Sequence, residues 1–279
     1  MDISVVVITR NAEKYIASLL DGLLAQSKMP CEIIIVDAES KDRTSELVKS
    51  YAEKYDFIKF YIKSGSRAGG RNFGASIAKG DAIAFIDADC SPDSAWLLEL
   101  DKSFAQSTDA VAGKTIKIGT TSFTDLPRVE IYHSGVDITY PACNLAYRKE
   151  VFDEVNGFDE WFKEAEELDL NYRIIDAGFK FTYNENAIVH HHGRETLTGF
   201  LKQSFWYGFG RKELTLKHGS LWKKYNLIDA VKIKRSEGEN IWKLIRLGIG
   251  FLGYLYCKIV GKRPEVKEKL RRAKISERE

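Results

Sequence analysis

The chain has 279 residues, 44% of them hydrophobic, which is enough to bury one large or two small domains. With 29% charged residues and only 21 Gly and 5 Pro, neither a disordered chain nor a collagen-like repeat describes it. The formal net charge of +2 excludes a general nucleic-acid binder, yet it is a cancellation. Residues 1–210 hold 23 Lys+Arg against 32 Asp+Glu, net −9, and residues 211–279 hold 19 against 8, net +11. An acidic front domain (1–210) and a basic tail (211–279) suited to a polyanion or a membrane surface are therefore expected.

Strand and helix patterns alternate through the first 110 residues. Ile3–Thr9 is a run of mostly β-branched residues, as a strand buried on both faces should be. Ala12–Gln26 places Ile16, Leu19, Leu20, Leu23 and Leu24 on one helical face. Glu32–Val36 is a second strand ending at Asp37, Thr44–Tyr55 a helix, and Ile58–Ile62 a third strand. A helix over Arg71–Ala78 and a fourth strand, Ala82–Ile86, ending at Asp87, complete the series. Strands alternating with helices imply βαβ units and a mostly parallel sheet with flanking helices. Further on, short strands near Ala110–Lys117 and Lys180–Tyr183 and a helix over Leu168–Ala177, closed by Gly178, are expected.

The four cysteines, Cys31, Cys90, Cys143 and Cys257, form no CxxC and lie far apart, so neither a zinc site nor a disulfide framework is indicated, and a reducing compartment is expected. The N-terminal MDISVVVITRN has no basic region followed by a cleavage site, so no secretory signal is expected.

In parallel α/β sheets ligands bind at the carboxyl ends of the strands. Thr9, Asp37, Asp87 and Asp89 all sit at such ends. Asp87-Ala88-Asp89 directly follows an apolar strand. Two carboxylates one residue apart suit Mg²⁺ or Mn²⁺ with substrate phosphates; the same acids equally suit a strand end and a helix cap near Asp93.

The order of motifs resembles the family-2 glycosyltransferases of the GT-A fold. That family carries Val-Asp-Asp-Gly-Ser-x-Asp-x-Thr after its second strand, then Ala-Arg-Asn-x-Gly, Gly-Asp and Asp-x-Asp. Here stand Val36-Asp37 with Ser40, Asp42 and Thr44, then Arg71-Asn72-Phe73-Gly74, Gly80-Asp81 and Asp87-Ala88-Asp89. Ala38-Glu39 replaces the usual Asp-Gly pair. Asn144, Arg148 and Gly157-Phe158-Asp159-Glu160 are further landmarks, and the likeness covers roughly residues 2–210.

The resemblance implies a GT-A type, Rossmann-like sheet and an inverting, metal-dependent transfer of sugar from a UDP- or GDP-sugar to an acceptor hydroxyl. By it, Thr9, Asp37 and Glu39 contact the nucleoside, Arg71 lies near the diphosphate, and Asp87 and Asp89 hold it through Mg²⁺ or Mn²⁺. The family's general base is an Asp in Glu-Asp-x-Asp-Leu, matched by Glu166-Glu167-Leu168-Asp169-Leu170. Glu167 takes the base position, with Glu166 as the alternative and Asp169 in the same turn. By itself, the acidic run equally suits a helix N-terminus. Among His190-His191-His192, which precede Arg194-Glu195-Thr196-Leu197, His191 is the third metal ligand by resemblance. Gln203 to Arg211 resembles the family's Gln-x-x-x-Tyr-Gly-x-Gly-Arg, with Trp206 and Tyr207 as acceptor-pocket walls or simply core.

Gly248-Ile249-Gly250-Phe251-Leu252-Gly253 matches GxGxxG, but no βαβ strand precedes it and no acid lies about 20 residues on, so it is not a dinucleotide site. Ile241–Val260 is apolar with Lys243, Arg246 and Lys258, and its uncharged run Leu247–Cys257 is short for a span. An interfacial helix fits it, with Lys262–Lys274 adding cations for anionic headgroups; packing on the catalytic domain or in a dimer is the alternative. These features predict a glycosyltransferase with a glycan or lipid-linked acceptor, peripheral or monotopic on the cytoplasmic face of a membrane through residues 241–274. A non-catalytic nucleotide-sugar-binding module is the rival reading. A sugar nucleotidyltransferase fits less well, because Thr9-Arg10-Asn11-Ala12 is not a Gly-rich loop.

Overall fold

The computed structural model describes residues 1–119, 126–192, 196–219 and 239–261. Arg194, Glu195 and the basic segment Lys262–Lys274 lie outside the described residues. An eight-stranded sheet in the order β3-β2-β1-β4-β9-β6-β10-β5 forms the centre. Its first half is the expected βαβ series: β1 (Ile3–Thr9), α1 (Ile16–Leu24), β2 (Glu32–Asp37), α2 (Thr44–Ala52), β3 (Ile58–Ile62), α3 (Arg67–Ile77) and β4 (Ala82–Asp87). These four strands pair in parallel.

β1, β2 and β4 are buried on both faces, and their alternate side chains feed two cores. Val5, Val7, Ile33, Ile35, Ala84 and Ile86 pack on one face with Ile16, Leu19, Leu20 and Leu23 of α1. Val6, Ile34, Val36, Ile83 and Phe85 pack on the other with Ala68 and Ala75 of α3. The helix α3 lies so close to β1 that a Cβ on Gly74 would stand 2.5 Å from Val6 Cγ1.

The second half departs from simple alternation. β5 (Cys90–Pro92) and β9 (Leu145–Arg148) run antiparallel to their neighbours, β10 and β4. Between them stand α4 (Trp96–Ala105), β6 (Ala110–Ile118) and a small hairpin of β7 (Tyr132–His133) and β8 (Val136–Asp137). α5 (Lys149–Glu154), α6 (Glu166–Asp176) and β10 (Phe181–His192) follow. β10 is much longer than the segment expected near Lys180–Tyr183, because it pairs along β6 through a bulge between Asn184 and Ile188. The landmark Asn144 is a structural pin: its side chain accepts Trp96 Nε1–H at 2.8 Å and donates to the Lys114 and Ala187 carbonyls. Gly178 ends α6 at φ +89°, as a glycine after a helix should.

α7 (Leu197–His218) runs unbroken through residue 210, where the charge balance changes. It packs against α8 (Glu239–Val260) at very small separation. A Cβ on Gly208 would stand 1.7 Å from the Gly250 carbonyl oxygen, and one on Gly253 would stand 1.9 Å from that of Phe205. Two glycines of the rejected GxGxxG thus serve helix packing. Among the described residues no helix is long and apolar enough to cross a membrane.

Candidate active site

Strand order reverses between β1 and β4, which opens a crevice at their carboxyl ends. Register places Ile8 beside Asp87 and Thr9 beside Asp37. The Thr9 hydroxyl is buried without a hydrogen-bond partner. Such a group costs about 1–3 kcal/mol, which a polar ligand would remove. Asp37 is fully buried and braces its own loop: Oδ1 accepts the Ser40 N–H and hydroxyl, and Oδ2 accepts the Ser45 hydroxyl. Glu39 is exposed in the same loop at φ +57°.

Arg71 joins the two halves of the crevice. It is buried on α3 and forks between two acids, donating to Asp87 Oδ1 at 2.9 Å and to Glu166 Oε1 at 2.8 Å. Its guanidinium lies over the Phe158 ring. The next residue, Asn72, pins the Gly157-Phe158 landmark by donating to the Phe158 carbonyl and accepting its N–H. Arg71 thus stands between the strand-end acid and the helix carrying the candidate base, so its protonated state is stabilised by two carboxylates rather than by solvent.

The expected acidic helix start is present: Glu166 and Glu167 open α6. Glu166 is buried, and its Oε2 lacks a partner. Glu167 is half-buried, and its carboxyl is pushed up to about 8 by loss of solvent and then by the neighbouring Glu166 charge. Asp169 is elsewhere in character. It is completely buried, and Arg173, Lys217 and His218 all lie within 2.8 Å of its carboxylate. Burial opposes its ionisation, but the His218 contact and the cations outweigh it and hold the carboxyl at about 2. Two acids of one turn thus shift in opposite directions, because burial and the Glu166 charge prevail at Glu167 while hydrogen bonding and cations prevail at Asp169.

The three histidines separate by partner. His190 meets Asp93 at 2.9 Å, His191 meets Asp89 at 3.4 Å, and His192 stacks on Tyr15 at 4.8 Å. Asp89, Cys90 and His191 offer atoms within 4.8 Å of one another, as a metal site requires. Burial alone would lower the His191 pKa, but the Asp89 carboxylate holds it up to about 9. The Cys90 thiol is pushed up by its contact with Cys143 and by burial, so it stays neutral. The Asp89 carboxylate and the His191 imidazole are donors that could hold a divalent cation. Asp87 is not in this group; its carboxylate is engaged by Arg71.

On α7, Trp206 is half-buried with its ring edge-on to Phe209 at 5.1 Å, and Tyr207 is exposed and accepts from Gln203 Nε2. Trp206 stands one turn before Gly210, which abuts Glu164 and Ala165 just ahead of α6. Residue-by-residue motif reading missed Tyr15, and it missed Glu213, a buried carboxylate on α7 that accepts the N–H groups of Lys163 and Glu164. Glu213 is the one acid in α7, and that is the signal it left in the sequence.

The model for "Glycosyl transferase family 2" matches residues 4–159, more than half of the chain. The chain belongs to glycosyl transferase family 2. Its sheet is that of the GT-A fold, as in the Staphylococcus aureus TarS 1–349 complex with UDP-GlcNAc. That structure matches with a TM-score of 0.58 at 20% identity, over 91% of this chain and 82% of that one. The mannosyltransferase PcManGT of Pyrobaculum calidifontis, in complex with GDP-Man and Mn²⁺, also matches at 0.58, with 16% identity over 98% and 80%. At such identities the likeness shows the fold. A Haloferax volcanii glucosyl-dolichyl phosphate glucuronosyltransferase is 26% identical over 77% of this chain and 78% of its own length. Other curated relatives in the family are longer, and the chain spans 35% of one and 56% of another.

Proposed function

We propose that the chain transfers a sugar, with inversion, from a nucleoside-diphosphate donor to an acceptor hydroxyl, and that Glu167 is the general base. The observation that carries this is the placement of Glu167. Its carboxyl sits at the first turn of α6, beside a crevice built on Thr9, Arg71 and Asp87, with its proton affinity raised toward neutrality. A base so placed takes the acceptor proton as the hydroxyl attacks the anomeric carbon and the bond to the diphosphate breaks. Thr9, with its unpartnered hydroxyl, and Glu39 would bind the nucleoside; Arg71 holds Asp87 and Glu166 in register.

Asp89 and His191, with Asp87 beside them, would hold Mn²⁺ or Mg²⁺, which neutralises charge on the departing diphosphate. The structure of PcManGT in complex with GDP-Man and Mn²⁺ supports a divalent cation in this reading.

The acceptor reading is a lipid-linked glycan. The relative from Haloferax volcanii is named for a dolichyl phosphate substrate. α8 presents Ile241, Leu244, Phe251 and Ile259 outward, at 60%, 62%, 60% and 82% exposure, an apolar stripe suited to a membrane interface. Lys258 remains exposed beside it, while Lys243 is buried and Arg246 donates to the Pro127 carbonyl. Trp206 and Tyr207, on the helix that carries α8, would wall the acceptor side.

The test is the anomeric configuration of the product together with Glu167→Gln. Expected are an inverted product and a turnover loss on the order of 10²- to 10⁴-fold with donor binding retained. A retained configuration, or a variant that turns over normally, would overturn the reading. Normal donor binding by a wild-type protein that transfers no sugar to any acceptor would favour the binding-module alternative.

A further inference from the structure

Gly210, Glu213, Lys217 and His218 fall at i, i+3, i+7 and i+8 of α7 and so share one face. Gly210 and Glu213 touch the segment that leads into the candidate base, and Lys217 and His218 both reach Asp169 just beyond it. A Cβ on Gly210 would stand 2.9 Å from Glu164 Cβ and 3.0 Å from Ala165 Cβ. Both oxygens of Glu213 accept the Lys163 N–H at 3.2 Å, and Oε2 accepts the Glu164 N–H at 3.1 Å. Lys217 Nζ lies 2.7 Å from both Asp159 and Asp169, and His218 Nε2 lies 2.7 Å from Asp169.

This clamp answers a local weakness. Ala165, the residue before α6, is left-handed at φ +63°, and no side chain caps the helix. For a residue with a Cβ that conformation costs about 1–2 kcal/mol and persists only where the surroundings over-determine it. The surroundings here are α7. Glu213 is 3% exposed and bonds only to backbone N–H groups, so its carboxylate is sited for holding the segment and not for solvent.

We propose that Glu213 is a positioning residue for the transfer reaction: it fixes residues 163–167 so that Glu167 meets the acceptor hydroxyl. The proposal rests on Glu167 being the base. Glu213 touches neither Arg71 nor the strand-end acids, so its loss should leave the donor site as it is. Misplacing a reacting group by about 1 Å costs up to 10²-fold in rate.

Glu213→Gln keeps the shape but replaces one acceptor oxygen with an amide donor facing the Lys163 N–H. Its kcat is expected to fall on the order of 10- to 100-fold, with donor KM within about 2-fold and the donor-induced thermal shift unchanged. Should that variant fail to fold, Gly210→Ala keeps every hydrogen bond and pushes on the same Glu164–Ala165 corner; the same split between kcat and KM is expected. An unchanged kcat in either folded variant overturns the proposal. So does a donor KM that rises in step with the loss of kcat, which would mean a merely structural role. If Glu167→Gln abolishes turnover while Glu213→Gln leaves kcat unchanged, this inference alone fails. If Glu167→Gln turns over normally, the base assignment itself has failed.

Discussion

The crevice at the strand ends and the α7–α8 pair are stabilised by opposite means. In the crevice, polar groups are buried and tied to one another: Arg71 between Asp87 and Glu166, Asp37 beneath Ser40 and Ser45, Asn72 on the Phe158 backbone. Between α7 and α8, side chains are removed so that backbones touch, at Gly208 against Gly250 and at Gly253 against Phe205. The first arrangement specifies the orientation of each group, as chemistry needs. The second specifies only proximity, and it leaves the outer face of α8 apolar and uncovered. α7 belongs to both regions, with Gly208 toward α8 and Gly210, Glu213, Lys217 and His218 toward α6 and the segment before it.

The largest way to break that contrast is at the ion cluster where α7 meets α6. Asp169→Asn leaves Arg173, Lys217 and His218 without their buried counter-charge, and a loss of about 3–5 kcal/mol is expected from urea denaturation. The sign with pH follows from its lowered pKa. The ordinary value of 3.8 falls to about 2 in the folded protein, so the Asp169 contribution is intact above the first value and lost as pH falls toward the second. Wild type should therefore lose this share of stability in acid, and the Asn variant should show no such loss.

A smaller effect sharpens the crevice side. Since Glu167 keeps its proton until about pH 8, kcat/KM should rise with pH through that region, because the base acts only when ionised. Glu166→Gln removes the neighbouring negative charge and leaves Arg71 nearby, so the limb should move to lower pH. A limb already at the ordinary glutamate value in wild type would show that Glu167 is solvated and not the base.

The smallest change in stability belongs to the outer face of α8. Phe251→Ser with Ile259→Ser should leave unfolding within about 0.5 kcal/mol per site, since both side chains are mostly exposed. The same pair should weaken flotation with anionic phospholipid vesicles by about 10-fold or more. Unchanged flotation would remove the membrane from the reading and leave the transferase chemistry untouched.

Much of this was written locally in the chain. The continuous burial of Ile3–Thr9, Glu32–Val36 and Ala82–Ile86, the acids at their ends and the acidic start of α6 are all sequence-local, and the structure has them where the pattern put them. Periodicity reports which side chains are buried, because that depends on a residue's own neighbours. It does not report against what they are buried. The antiparallel insertion of β9 between β4 and β6, the engagement of Asp87 by Arg71 instead of by the Asp89–His191 group, and the use of Gly250 and Gly253 as contact points depend on partners far along the chain. The same holds for Glu166, Glu167 and Asp169. Their sequence names three similar acids in one turn; only the tertiary placement of Arg71, Arg173, Lys217 and His218 makes one of them a bridge, one the proposed base and one a buried anchor.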